Sequence, residues 1–265
     1  MIVPRLSQRD LVQLRQRLVP RDLAIVYRVG ELHLMSARQI EALYFPPEVY
    51  ASKATAARTS RRVLERLTEE RLLTRLKRRV GGIYAGSAGY VYTLGVIGKR
   101  LLELDRPRTI LWEPSRLFVN HTLAVSQLVV DLTLAGRRGD LELLEVQVEP
   151  QCWRRIPGLE RRVLRPDLFM AIGAGELELR WFVEVDRGTV HLPTLLKKCR
   201  LYDAYYRSGV EQEAHGVFPR VLWITAEARG EALLSAVERS KRLTARLFLT
   251  ATPDRAVEVL AEGVS

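Results

Sequence analysis

The second half of the chain is a succession of strand-like and helical patterns, and this succession most constrains the fold. Five apolar runs have the length and alternation of β-strands, at residues 141–149, 163–172, 177–186, 219–225 and 246–251. Helical periodicity precedes the first run, at residues 117–135, and separates later runs, at 192–208 and 229–243. Because this order mixes hairpin connections with helical crossovers, it predicts a mixed α/β (α+β) domain, with helices covering a mixed sheet.

The first hundred residues begin with helical patterns, at 7–18, 21–34, 36–45 and 53–68. In the fourth of these, Val63, Leu64 and Leu67 predict a buried face. Arginines recur every four residues on another face of the same helix, at Arg58, Arg62 and Arg66, with Arg61 close beside them.

A basic hairpin is predicted directly after the arginine-faced helix. Alternating residues at 72–76 and 90–94 flank a glycine-rich turn that carries Lys77, Arg78 and Arg79. Helices followed by a basic helix and a basic hairpin are the order of a winged helix-turn-helix, with the helix in the major groove and the hairpin along phosphates. A small helical domain with a solvated basic face is the alternative interpretation.

Charge divides the chain into two parts. Residues 1–105 hold 19 Lys and Arg against 10 Asp and Glu, whereas residues 106–265 hold 23 against 21. The net charge of +11 indicates a polyanionic partner, either nucleic acid or an anionic membrane surface. Together with Pro107 and Pro114 between patterned segments, the asymmetry predicts a DNA-binding domain at 1–105 and a second domain at 106–265.

Membrane and secretory signals are not predicted. The longest apolar run, 123–136, is too short to span a bilayer and contains Asp131. Cys152 and Cys199 lack the spacing of a metal site or a disulfide framework, which predicts two reduced, buried thiols. We therefore expect a soluble cytoplasmic protein with no membrane partner.

Three acidic residues of the second part predict a metal site. Glu184 and Asp186 lie two apart on one predicted strand and share a face, and Asp167 begins the preceding strand. Antiparallel pairing would bring the three carboxylates together, where they repel one another unless a cation neutralises them. Mg²⁺ or Mn²⁺ suits such oxygen ligands and could activate a water against a phosphodiester. Salt bridges to Arg165 and Arg187 are the alternative.

Several segments resemble the replication-relaxation family of mobile-element proteins. The specific part is RPDLF at 165–169, FVEVDRGT at 182–189 and KCRLYDAYY at 198–206; SARQIEAL at 36–43, VYTLG at 91–95 and HTLAVSQL at 121–128 extend it. The resemblance implies a winged helix joined to a restriction-endonuclease-like domain of the PD-(D/E)XK type, an architecture similar to a class of plasmid mobilisation relaxases that nick DNA.

The resemblance also assigns roles to individual residues. It implies that Asp167 and Glu184 are metal ligands, while the position of the motif lysine is occupied by Asp186. Some members of the wider superfamily carry that lysine on the following helix, which makes Lys198, or else Lys197, the catalytic candidate. A relaxase also needs a nucleophile, for which Tyr202, Tyr205 and Tyr206 are candidates, although buried packing tyrosines account for the same pattern.

Three functions follow from these observations. The first is a Mg²⁺- or Mn²⁺-dependent DNA nickase of a plasmid or other mobile element, acting on double-stranded DNA. The second, favoured by the missing in-line lysine, is a non-catalytic replication or transcription regulator with a degenerate nuclease fold. The third is a platform that recruits replication or transfer machinery. The winged-helix interpretation also allows a homodimer, for which no strong heptad run argues.

Overall fold

The computed structural model describes residues 6–76, 89–104, 116–158 and 162–263. Packing divides the chain into two compact units, Met1–Val130 and Asp131–Ser265. The division falls inside a long helix, whereas the boundary predicted after residue 105 borders a stretch outside the described residues. The fold class is mixed α/β, as the sequence predicts.

Five helices of the first unit precede the long helix: α1 (Gln8–Arg17), α2 (Pro20–Leu32), α3 (Ala37–Tyr44), α4 (Lys53–Glu69) and α5 (Val96–Glu103), counted over the described ranges. Serines begin three of them. The side chains of Ser7, Ser36 and Ser52 accept hydrogen bonds from the backbone N–H groups of the first turns of α1, α3 and α4. Each bond satisfies a donor that the helix itself leaves unpaired.

A small antiparallel sheet completes the first unit. Its strands are β1 (Met35–Ser36), β2 (Leu73–Arg75) and β3 (Val91–Leu94), in the order β1-β3-β2. The β2–β3 pair, with Leu73 opposite Leu94, confirms the two predicted strands of the hairpin. The tip that carries Lys77, Arg78 and Arg79 lies outside the described residues.

Helix α5 was not predicted, because two turns are too short to show a clear period. It packs closely against the segment before β2. A Cβ atom on Gly98 would lie 2.1 Å from the carbonyl oxygen of Leu72. Glycine at this position therefore permits the helix to approach the neighbouring backbone.

The long helix α6 (Arg116–Arg138) passes from the first unit into the second. Residues Phe118–Arg138 are long and apolar enough to cross a membrane, with a mean hydropathy of 1.2, yet half of their most apolar window is buried inside the protein. A helix in the core of a folded unit passes the same test of length and composition. The cytoplasmic location stays a prediction.

The second unit is built on a five-stranded mixed sheet. Its strands are β4 (Glu142–Val148), β7 (Leu168–Ala174), β8 (Leu177–Val185), β9 (Arg220–Ile224) and β10 (Phe248–Ala251), between which β5 (Arg154–Arg155) and β6 (Val163–Leu164) form a separate pair. The order is β10-β9-β8-β7-β4; β4, β7 and β8 are antiparallel, and β9 and β10 run parallel to β8. The sheet is mixed, as predicted.

The run predicted as one strand at 163–172 is two strands in the structure. Residues Val163 and Leu164 pair with β5, whereas Leu168 onward pairs with β4 and β8. Pro166 separates the two segments, because a proline has no backbone N–H for a continuous ladder.

Four helices follow or separate the later strands: α7 (Leu192–Ser208), α8 (Val210–His215), α9 (Glu227–Glu238) and α10 (Ala256–Glu262). Buried side chains of α7 and α9, such as Tyr202 and Leu233, join Phe182 and Trp223 of the sheet in one apolar core. Helix α7 ends at Gly209, whose φ of 75° is a left-handed conformation that glycine adopts without strain. The apolar core that α7 shares with Phe182 and Trp223 places this helix over strands β8 and β9.

Candidate functional site

Asp167 and Glu184 lie side by side on neighbouring antiparallel strands. The pairing of Leu168 with Val183 brings Asp167, just before β7, next to Glu184 in β8. The backbone N–H of Asp167 donates to the Val183 carbonyl at 3.1 Å, and its carboxylate accepts from the N–H of Val185 at 2.7 Å. Both acidic side chains are buried, so the predicted proximity of this pair is confirmed.

Two side chains of α7 reach the Glu184 carboxylate from the helix above the sheet. The Lys198 ammonium donates to one oxygen and forms an ion pair with it, and the Tyr202 hydroxyl donates to the other oxygen. Lysine and tyrosine four residues apart lie on one face of a helix, which explains why both reach the same carboxylate. Glu184 is only 2% exposed, so this polar cluster is part of the core.

Burial and neighbouring charges both shift the pKa values of Glu184 and Lys198. Burial raises the pKa of Glu184 to about 8; the positive charge of Lys198 opposes this shift and the negative charge of Asp167 adds to it. Burial lowers the pKa of Lys198, but the charges of Glu184 and Asp167 outweigh it, so the net shift is upward. The Lys198 ammonium brings a positive charge to this cluster, and a positive charge can stabilise a phosphate oxygen.

The Asp186 carboxylate has partners of its own, different from those of Asp167 and Glu184. It follows the end of β8, and its carboxylate accepts from the N–H of Gly188 at 3.1 Å and the hydroxyl of Thr225 at 3.2 Å. The guanidinium of Arg229 in α9 forms an ion pair with the same carboxylate. A salt bridge was the alternative expected for this residue, but its partner is Arg229 rather than Arg187.

Asp167, Glu184 and Asp186 therefore do not form one metal site. Within the described ranges, no set of three or more His, Cys, Asp or Glu side chains is placed to hold a metal ion together. Asp167 and Glu184 alone still fit Mg²⁺, because this ion is commonly bound through one or two carboxylates, with waters and substrate phosphates as the remaining ligands. Both oxygens of Glu184 are hydrogen-bonded, so a cation would compete with Lys198 or Tyr202 for one of them.

The candidate tyrosines are held by their hydroxyl groups. Tyr202 and Tyr205 are buried, and their hydroxyls donate to Glu184 and Glu211. Burial raises the pKa of Tyr202 well above its usual value, which keeps its proton in place. The Tyr206 hydroxyl accepts from Arg246. Burial and hydrogen bonding of Tyr202 and Tyr205 agree with packing tyrosines rather than free nucleophiles.

The two cysteines are free and buried, as predicted. The Cys152 thiol donates to the carbonyl of Pro166 at 3.0 Å, directly before Asp167. Burial raises the pKa of Cys152, and raises that of Cys199 to about 12.

We expect both thiols to resist alkylation in the native protein. At pH 8 the thiolate fraction of Cys199 should be roughly 10³-fold below that of a free cysteine, because the thiolate is the reactive form. Titration with a chromogenic disulfide reagent should therefore find two thiols only in denaturant. Rapid modification of either thiol in buffer would contradict the buried placement.

The arginine face of α4 is exposed in the first unit. Val63, Leu64 and Leu67 are buried, as predicted, and the exposed arginines are Arg58, Arg61, Arg62 and Arg66. No described acidic residue forms an ion pair with the first three. Arg66 differs, because its guanidinium forms an ion pair with the buried Asp22 of α2.

The sequence did not reveal the hydrogen-bond partners of Asp186. Arg229 lies 43 residues after Asp186, in a helix whose pattern shows no polar signal for this contact. Thr225 at the end of β9 is likewise brought to Asp186 only by strand pairing. Lys198, by contrast, was identified through the resemblance, which implies a catalytic lysine on the helix that follows the acidic strand.

Comparison with protein families finds one model, described as replication-relaxation, that matches residues 27–221. The match covers more than half of the chain and includes Asp167, Glu184 and Lys198. Comparison with curated proteins and with solved structures gives no match. The chain belongs to the replication-relaxation family.

Proposed function

We propose that this chain is a DNA-binding protein of a plasmid or other mobile element that nicks DNA in replication, relaxation or mobilisation. Family membership suggests a role in plasmid or mobile-element replication or relaxation. The observation that carries the proposal is the convergence of Asp167 and Lys198 on the buried carboxylate of Glu184. Two acids at the adjoining ends of β7 and β8, with one lysine, are a set suited to phosphodiester hydrolysis.

The chain's own residues have separate tasks in this proposal. Asp167 and Glu184 would hold a Mg²⁺ or Mn²⁺ ion, which when bound would supply Lewis-acid polarisation of the phosphodiester. The Val185 N–H fixes the Asp167 carboxylate, and Tyr202 fixes that of Glu184. Lys198, whose ammonium donates to Glu184 in the structure, would stabilise the negative charge that develops on the phosphate.

DNA binding is assigned to the first unit in the same proposal. Helix α4 presents Arg58, Arg61 and Arg62 to solvent, and the antiparallel pair β2–β3 follows it. This order supports a winged helix-turn-helix, with α4 in the major groove. Lys77, Arg78 and Arg79 belong to the proposed phosphate contacts, although they lie outside the described residues. The sheet and α7 crossover of the second unit support a PD-(D/E)XK nuclease-like domain.

A non-catalytic DNA-binding regulator is the second candidate. The observation that favours it is that both oxygens of Glu184 already have partners and Asp186 is paired with Arg229. A degenerate nuclease site held closed by these bonds would serve as a scaffold. This candidate predicts DNA binding that is indifferent to divalent cations.

Plasmid cleavage separates the two candidates. A supercoiled plasmid that carries the DNA flanking the coding sequence is incubated with the purified protein and Mg²⁺, Mn²⁺ or EDTA. We expect conversion to open circles with Mg²⁺ or Mn²⁺ and none with EDTA, since the proposed reaction needs the cation. Tight, salt-sensitive binding of the same DNA without scission in any of the three would favour the regulator.

A further inference from the structure

An open basic pocket lies beside the candidate site in the second unit. It has a volume of about 580 Å³ and is lined by Arg162, Val163, Arg165, Lys197, Arg200 and Leu201. Among the lining residues that the structure describes, four are cationic and none is acidic. All four cations are exposed, and no described acidic residue forms an ion pair with any of them. Because like charges that converge repel one another, such a pocket is suited to a polyanion.

Helix α7 places this pocket next to the acidic cluster. Lys198 and Tyr202 form the row of side chains that reaches Glu184. Lys197 and Arg200, three residues apart, form the neighbouring row on the same helix and line the pocket. The pocket and the cluster therefore share α7 as a wall.

The opposite wall also joins the two sites. Arg165 precedes Asp167 by two residues, and its guanidinium lies 4.4 Å from the ring centre of Trp153. Stacking on an aromatic ring orients a guanidinium and leaves its N–H groups available for two-point contacts to phosphate. Arg165 is thus held in position before any ligand binds.

We infer that this pocket binds the phosphodiester backbone of the DNA strand on one side of the phosphate to be cleaved. The inference rests on the proposed function, and it adds a second DNA contact that is independent of α4. Phosphate contacts fix the register of a nucleic acid without reading its sequence. Cations on both walls, three of them arginines suited to phosphate recognition, would fix which phosphate reaches Glu184 and Asp167.

Two matched triple variants of the full-length chain test the inference. The pocket variant is R162Q/K197Q/R200Q, and the control is R239Q/K241Q/R242Q. Each removes two exposed arginines and one exposed lysine from the second unit. The control cluster lies at the far end of α7, where Arg207 donates to the carbonyl of Arg242. Thermal melts establish that both variants fold.

The measurement is the affinity for a labelled duplex oligonucleotide as a function of salt, with EDTA present. We expect the slope of log K against log salt to become shallower by roughly 2 to 3 in the pocket variant, about 0.9 for each phosphate that the protein no longer neutralises. The control variant should keep the wild-type slope. Equal slopes for the wild type and the pocket variant, or equally shallow slopes in both variants, would overturn the inference. Absence of DNA binding by the wild type would instead overturn the proposed function.

Lysine acetylation distinguishes DNA from a small anion. The duplex should slow the acetylation of Lys197, read by mass spectrometry, and leave that of Lys241 unchanged. Inorganic pyrophosphate serves as the second probe. Protection of Lys197 by pyrophosphate but not by the duplex would assign the pocket to a small phosphate compound and overturn the inference.

Discussion

Replacing Glu184 by glutamine is expected to reduce metal-dependent nicking by roughly 10³-fold or more while the protein stays folded. Glutamine has the shape of glutamate and can still accept from Tyr202, so the packing around β8 is kept. It lacks the negative charge that both a divalent cation and Lys198 require. The loss should therefore appear in the cleavage step and not in DNA affinity.

The chain supplies a matched control for this substitution. Glu211 is 3% exposed, accepts from the Tyr205 hydroxyl at 2.9 Å and is paired with Arg154 at 2.8 Å. It thus shares with Glu184 the burial, the tyrosine and the cation, but it lies in α8, away from the acidic strand pair. Glu211→Gln should retain nicking within a few-fold of wild type.

The measurement is the rate of open-circle formation in Mg²⁺ at saturating protein, together with the melting temperature of each variant. If Glu184→Gln nicks as fast as wild type, Glu184 has no catalytic part. If Glu211→Gln loses the same activity without a fall in melting temperature, the effect belongs to buried carboxylates in general rather than to the proposed site.

The acidic pair could be predicted because it depends on local rules. Alternation along a strand and antiparallel pairing with its neighbour are sufficient to bring Asp167 beside Glu184. The same reasoning placed Asp186 on the same face, but β8 ends at Val185, so Asp186 lies where the ladder finishes. Its partner Arg229 lies in α9, and the packing that brings α9 to Asp186 cannot be read from the local sequence.

Features that depend on contacts between distant segments were likewise not predicted, whereas those set by the order of the segments were. The four cations of the basic pocket come from two segments more than thirty residues apart, and only the packing of α7 against β6 brings them together. Helices α5, α8 and α10 are short, so their hydrophobic periods are too brief to identify. The mixed sheet itself was predictable, because the order of long patterned segments restricts the connections.

The buried Asp22 is expected to contribute most to the stability of the first unit among its charged residues. Its side chain is fully buried in the first turn of α2, and it accepts from Arg21 at 3.0 Å and forms an ion pair with Arg66. Asp22→Ala removes the shared anion of two arginines and a favourable charge at a helix N-terminus. Breaking a buried ion pair costs about 3 to 5 kcal/mol in the free energy of unfolding. Because both arginines are partly exposed and regain water, we expect a loss at the lower end, about 3 kcal/mol.

Urea denaturation followed by circular dichroism measures this loss, with Asp140→Ala as the control. Asp140 and Arg138 form a surface ion pair at 2.8 Å, with both side chains more than half exposed. Removing it should cost no more than about 0.5 kcal/mol. Equal, small effects of the two substitutions would show that the Asp22 cluster is not a stabilising core feature.

The outcome also decides how the arginines of α4 are to be understood. Arg66 shares the spacing of Arg58 and Arg62, but its guanidinium is bound to Asp22, so its replacement should lower stability together with DNA affinity. Arg58, Arg61 and Arg62 have no described acidic partner, and their replacement should lower affinity alone. A DNA-binding surface on α4 is therefore defined by the arginines whose replacement changes the salt dependence of binding without changing the urea midpoint.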